Sequence, residues 1–137
     1  MVNTQLLISV VDDDRSVRRA LRRLLRTSGY ATELFASANE FLSSPALSRT
    51  GCLILDIQLG ATTGFELQAE LAASGSAIPI IFISAYDDAA TSERIAESGA
   101  SAYLRKPFEE QDLLDAIRRA VDAGDSLDHA PTPGENP

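Results

Sequence analysis

Four apolar runs in this sequence lead into groups that can do chemistry. Asp12 and Asp13 follow Leu6 to Val11, Asp56 follows Cys52 to Leu55, Ser84 follows Ile78 to Ile83, and Lys106 stands just beyond Ser101 to Leu104. Each has a plain explanation when taken alone: aspartate starts turns and caps helices, serine bonds backbone at strand ends, and lysine is ordinarily solvated. Brought to one place, they describe a particular chemistry. Crowded carboxylates repel and raise one another's pKa unless a cation sits among them. Their oxygens suit magnesium, which keeps several waters and takes one or two carboxylates together with phosphate oxygens. Lysine adds a compact positive charge for a phosphoryl oxygen, and serine adds a short hydroxyl donor. Positioning and charge neutralisation are most of what phosphoryl transfer asks of a protein, and a carboxylate in such a site can itself accept the group.

Those groups can meet only if the chain delivers them to one edge. Leu6 to Val11 reads as a buried strand, and apolar residues at 17, 21, 24 and 25 before Gly29 read as a helix over Asp12 to Ser28. Ala31 to Phe35 is a second strand. Ser37-Ala38-Asn39-Glu40 has the capping-box pattern that opens a helix through Phe41 and Leu42, ended by Pro45. The central strand Cys52 to Asp56 follows, then a loop, then a second capping box at Thr63-Gly64-Phe65-Glu66 opening a helix whose Leu67 and Leu71 face the core. Ile78 to Ser84 is the fourth strand, with Pro79 near its start, and Asp87-Asp88 offers an N-cap to a helix ending near Gly99. Ser101 to Leu104 is the fifth strand, and Glu109 to Ala123 is the last helix, with an acidic first turn that suits the helix dipole.

Strand alternating with helix, with no hairpin signal, predicts an α/β fold: a five-stranded parallel sheet, doubly wound, with five helices covering both faces. In such sheets ligands gather outside the carboxyl ends of the strands, which is where Asp12, Asp13, Asp56, Ser84 and Lys106 fall. The domain is expected to span residues 1–123. From Gly124 onward the chain holds three prolines, two glycines and little that is apolar, which predicts a disordered tail over 124–137.

Composition narrows the function further. A chain of 137 residues suits one core, and no apolar run approaches the roughly 20 residues that cross a membrane. The polar start carries no signal-peptide pattern, so a cytoplasmic location without a membrane partner is expected. The single cysteine, Cys52, sits mid-strand and reads as a small core residue. A net charge of -8 argues against nucleic-acid binding through a basic surface. Six of the twelve basic residues nonetheless fall at Arg15, Arg18, Arg19, Arg22, Arg23 and Arg26, interleaved with leucines at helical spacing, and read as a solvated helix face. His129, the only histidine, reads as solvent-exposed.

The motifs Val10-Val11-Asp12-Asp13-Asp14, Leu55-Asp56 with Gly64 eight residues on, Ile83-Ser84-Ala85 and Gly99 to Phe108 together resemble the receiver domain of bacterial two-component response regulators. Within that family the closest likeness is to nitrogen-fixation-type transcription regulators, and it covers Leu6 to Ala123. The resemblance implies a flavodoxin-like strand order of 2-1-3-4-5, an order that general accounts of doubly wound folds already give for a receiver. It implies that Asp56 is the phosphoacceptor, that Asp13, Asp56 and the Gln58 carbonyl hold Mg2+ or Mn2+ with Asp12 acting through water, and that Ser84 and Lys106 contact the phosphoryl group. Tyr103 would be the aromatic switch, the Lys106-Pro107 bond would be cis, and Gln58 and Tyr86 would flank the approach of hydrolytic water. The implied partners are a histidine kinase or histidine phosphotransfer protein as donor, a downstream protein, and an activation-dependent second copy, docking through the helix after Asp88, the fifth strand and the last helix. Such a domain is a phosphoaccepting signalling unit and not an enzyme beyond its own phosphorylation and dephosphorylation.

The sequence departs from the family after Asp56, where Gly60 occupies the position usually held by proline, which predicts a loop with more entropy to lose on ordering. A haloacid-dehalogenase-like phosphatase shares the aspartate, magnesium, hydroxyl and lysine, but needs an acid two residues after the nucleophile, where this chain has Gln58. A nucleotide- or flavin-binding domain would need a glycine-rich phosphate loop, and none follows a strand. A degenerate receiver serving only as a docking module is the third alternative, and the complete acidic set argues against it.

Overall fold

The computed structural model describes residues 6–85 and 88–129. Its elements run β1 (Leu7–Val11), α1 (Arg15–Thr27), β2 (Ala31–Phe35), α2 (Ala38–Leu42), a 3-10 turn (Pro45–Arg49), β3 (Thr50–Asp56), β4 (Gln58–Leu59), β5 (Thr62–Thr63), α3 (Gly64–Ala73), β6 (Ile80–Ser84), α4 (Ala89–Ser98), β7 (Ala102–Arg105) and α5 (Glu110–His129). Five of the strands form one parallel sheet in the order β2-β1-β3-β6-β7, and β4 with β5 forms a separate antiparallel pair. Setting that pair aside gives the expected 2-1-3-4-5 order.

The central strands are apolar throughout because both faces of the sheet are covered. Successive side chains point to opposite faces. Leu53, Leu55, Ile80 and Phe82 therefore pack with Phe41, Leu67, Leu71 and Ile95 from α2, α3 and α4. Cys52, Ile54, Ile81 and Ile83 pack on the other side with Leu21 and Leu25 of α1 and Leu113 and Ile117 of α5. Fully burying a side chain of this size contributes about 1.5–3 kcal/mol, so these two clusters hold the sheet and its helices together. Cys52 is buried as expected, and burial pushes its thiol up to about 12. The polar residues among the apolar ones are partnered: the Thr50 hydroxyl donates to the Ala46 carbonyl at 2.7 Å, which leaves Ser9 Oγ to donate to Thr50 Oγ1 at 2.7 Å.

The helix starts carry the expected side-chain caps, with differences in detail. Thr63 and Glu66 form the reciprocal capping box at α3, and Asp88 caps α4 by accepting from the Thr91 amide at 2.7 Å. At α2, Ser37 accepts from the Glu40 amide, but the Glu40 carboxylate reaches Ala36 N, one residue before the cap. The first helix begins at Arg15, because Asp14 takes the N-cap role and accepts from the amides of Ser16 and Val17. β6 starts at Ile80, after Pro79, whose carbonyl accepts from Leu53 N at 2.9 Å. The last helix continues to His129, six residues beyond the expected end at Ala123, so the first part of the expected tail is helical, and residues 130–137 lie outside the described residues.

The loop after Asp56 is where local reasoning missed an element. Leu59 pairs with Thr62 around Gly60 and Ala61, a two-residue hairpin, and Gly60 adopts φ 75°, a conformation that proline cannot take. Glycine at this position makes the hairpin; the loop is neither proline-stiffened nor irregular.

Candidate functional site

Strand register brings the chemistry together. Val11 pairs with Leu55, so Asp12 leaves the sheet beside Asp56. Asp56 pairs with Ile83, which puts Ser84 one step further out, and Ser84 pairs with Arg105, which puts Lys106 next to it. Two backbone bonds lock this edge: Ile57 N to Ile83 O at 3.0 Å, and Lys106 N to Ser84 O at 2.8 Å. The Lys106-Pro107 bond is cis, as the resemblance implied.

Lys106 Nζ donates to Asp12 Oδ2 at 2.8 Å and to Asp56 Oδ2 at 3.2 Å, and so ties two strand ends by one ammonium. The remaining oxygens are held by backbone: Asp14 N donates to Asp12 Oδ1 at 2.9 Å and Gln58 N donates to Asp56 Oδ1 at 3.0 Å. Asp12 is fully buried and Asp56 is 5% exposed, whereas Asp13 projects into solvent at the rim. Carboxylate oxygens of Asp12, Asp13 and Asp56 lie within 4.8 Å of one another.

Burial pushes the Asp56 carboxyl up to about 6, and the neighbouring Asp12 charge pushes the same way. The Gln58 N–H and Lys106 pull it down without cancelling the rise. Burial also works against the charged form of Lys106, but its bonds to the two aspartates outweigh it and the ammonium is held above its ordinary value. One ammonium thus faces three carboxylates, and the site is short of positive charge. Its donors are all hard oxygens, so a divalent ion of the magnesium type fits the cluster.

Ser84 is fully buried at the end of β6, and Tyr103, half-buried on β7, pairs with Phe82 and packs against the cluster formed with α2, α3 and α4. The Gln58 side chain is exposed and its backbone sits on β4. Tyr86 lies outside the described residues. Two further residues shape the site, the motif glycine Gly64 and Arg18 of α1. Gly64 is the closest: a Cβ there would sit 2.7 Å from the Asp56 carbonyl oxygen and 3.1 Å from the Phe82 ring. Arg18 Nη1 donates to the Asp12 carbonyl at 2.7 Å. The signal for Arg18 was present in its spacing, since it precedes the buried Leu21 and Leu25 by three and seven residues and shares their side of the helix.

Residues 8–118 match the family described as the response regulator receiver domain. The response regulator protein TmoT of Ectopseudomonas mendocina is 40% identical over 121 residues, covering 88% of this chain and 55% of its own. Nodulation protein W of Bradyrhizobium diazoefficiens is 41% identical over 120 residues, covering 88% and 53%. The chain therefore spans about half the length of the curated relatives it matches. Among solved structures, response regulator StyR superposes with a TM-score of 0.84 at 42% identity, covering 93% of this chain and 64% of that one.

Proposed function

This chain belongs to the response regulator receiver family, and we propose that within it Asp56 accepts a phosphoryl group from the phosphohistidine of a histidine kinase or phosphotransfer protein. The observation that carries this reading is the Asp56 carboxylate itself, at the end of the central strand among oxygen donors and within 3.2 Å of the Lys106 ammonium. A carboxylate oxygen of Asp56 attacks phosphorus, the bond from phosphorus to the donor imidazole nitrogen breaks, and the imidazole leaves with that electron pair; the product is an acyl phosphate. In this reading Lys106 neutralises one phosphoryl oxygen and Ser84 donates its hydroxyl to another.

Asp13, Asp56 and the Gln58 carbonyl would hold Mg2+ or Mn2+, with Asp12 reaching it through water; bound there, the ion neutralises charge on the phosphoryl oxygens. The added phosphoryl charge draws Ser84 inward and lets Tyr103 turn, shifting a balance between two packings at α4, β7 and α5. That surface is the one assigned to a downstream protein or a second copy. Among the described residues no helix is long and apolar enough to cross a membrane.

Intact mass after incubation with acetyl phosphate tests the reading. One phosphate increment is expected with Mg2+, none in excess chelator and none in Asp56→Asn. Full labelling of that variant would remove Asp56 from the role.

A further inference from the structure

The six arginines of α1 are not equivalent. Arg15, Arg19, Arg22, Arg23 and Arg26 are exposed, and no ion pair ties them among the described residues. Arg18 is half-buried and turned back six residues, its Nη1 2.7 Å from the Asp12 carbonyl oxygen. That carbonyl belongs to the peptide that joins Asp12 to Asp13. The peptide unit is planar, so holding its oxygen also holds the Asp13 amide and Cα. Every other polar anchor of this turn falls on its neighbours: Asp12 N donates to Phe35 O at 3.1 Å, the Asp12 carboxylate is taken by Asp14 N and Lys106, and the Asp14 carboxylate caps α1. Among the described residues the Asp13 side chain has no hydrogen bond or ion pair of its own. The backbone therefore fixes where its side chain starts and which rotamers reach the cluster.

We propose that Arg18 is a positioning residue for the divalent-ion site, holding the Asp12–Asp13 peptide so that the Asp13 carboxylate stays aimed at the oxygen cluster it shares with Asp56. This rests on the reading that the acidic cluster binds a divalent cation. The bond and the charge of Arg18 act in opposite directions: a guanidinium beside a cation site repels the ion, while a fixed Asp13 attracts it. A purely electrostatic Arg18 therefore weakens binding, and its removal tightens the site. A positioning Arg18 strengthens binding, and its removal loosens the site.

The experiment is a Mn2+ titration of the metal-free full chain, with free ion followed by its electron paramagnetic resonance signal. The parent is compared with Arg18→Met, Arg18→Gln and Arg19→Met, each first checked for a cooperative urea transition. Arg19→Met removes the same charge one residue away from an exposed side chain that makes no such bond. Arg18→Met and Arg18→Gln are expected to weaken Mn2+ binding about 10-fold, as loss of a group that orients a metal ligand typically does. Arg19→Met is expected to match the parent or bind slightly tighter. Two substitutions at Arg18 keep the test open if one variant fails its urea transition, since each removes the charge and shortens the side chain's reach to the Asp12 carbonyl. Arg18 variants that bind as tightly as the parent, or that shift together with Arg19→Met, overturn the proposal. A parent that takes up no Mn2+ overturns the metal reading and this inference with it, whereas a binding parent with unaffected Arg18 variants overturns the inference alone.

Discussion

Replacing the phosphoacceptor should make the resting fold stronger. The Asp56 carboxyl is raised from 3.8 to about 6, chiefly by burial, so between those values the native state binds a proton that the unfolded chain has released. The contribution of this group to stability is complete below the unfolded value and is lost as pH rises through the native one. At about 1.4 kcal/mol per pH unit the loss approaches 3 kcal/mol, and allowing for water at the rim we take about 2 kcal/mol. Asp56→Asn keeps an oxygen for the Gln58 N–H and removes the charge, while Lys106 keeps Asp12 at 2.8 Å. In chelator at pH 7.5 the variant should therefore be more stable by about 2 kcal/mol, roughly 8 °C in Tm for a domain of this size. At pH 4 the two proteins should be nearly equal. Saturating Mg2+ should close the gap at pH 7.5 by stabilising the parent, by about 2.7 kcal/mol at a hundredfold excess over the dissociation constant. Urea unfolding followed by far-ultraviolet circular dichroism measures all three. A variant less stable at pH 7.5, or equally favoured at both pH values, would refute the reasoning.

Three other outcomes are open to measurement. Gly64→Ala should cost about 1–3 kcal/mol in urea unfolding and slow acetyl phosphate labelling, because its Cβ would stand 2.7 Å from the Asp56 carbonyl and force α3 away from the site. Thr63→Ala should cost about 1 kcal/mol without changing Mn2+ affinity, since it removes only the α3 cap; an altered affinity would show that the cap also governs the metal loop. Tyr86→Ala should speed decay of phospho-Asp56, by up to roughly 100-fold if the ring keeps water out of line, and an unchanged decay would leave Tyr86 as packing alone.

The parts of the fold that sequence made legible are those where one residue type decides the matter locally. Apolar runs ending on Asp12, Asp56 and Ser84 marked strands buried on both faces, and Thr63 and Asp88 marked helix starts because only a few side chains can accept from those free amides. The Pro45–Arg49 turn escaped because a single 3-10 turn leaves no periodic pattern. The Gln58–Thr63 hairpin escaped because two-residue strands carry no alternation, and the glycine that permits it read as a lost proline. The proline- and glycine-containing stretch from Gly124 reads as a tail, yet α5 continues to His129, since one helical glycine costs only about 1 kcal/mol. In the site, the carboxylates and lysine could be named because strand ends converge in a parallel sheet. Only the spacing of Arg18 to Leu21 and Leu25 sets it apart from its five neighbours, and its partner is not legible, because that carbonyl comes within reach only in the folded turn.

The sheet also partitions this protein. Leu53 and Leu55 belong to one packed cluster and Cys52 and Ile54 to the other, so neighbouring positions on a single strand answer to different sets of helices. Lys106 and Pro107 border an apolar groove with Val17, Leu24 and Phe108 on the α1 and α5 side, while Tyr103 packs on the side of α2, α3 and α4. Substitutions at helix positions of one cluster should add to those at helix positions of the other within about 0.5 kcal/mol, as distant and unshared sites do. The packing on the two sides of the sheet can therefore diverge as separate inheritances. A lineage could redraw the packing of α1 and α5 without renegotiating the packing beneath α4, because the two histories are obliged to agree only along the sheet that both sides cover.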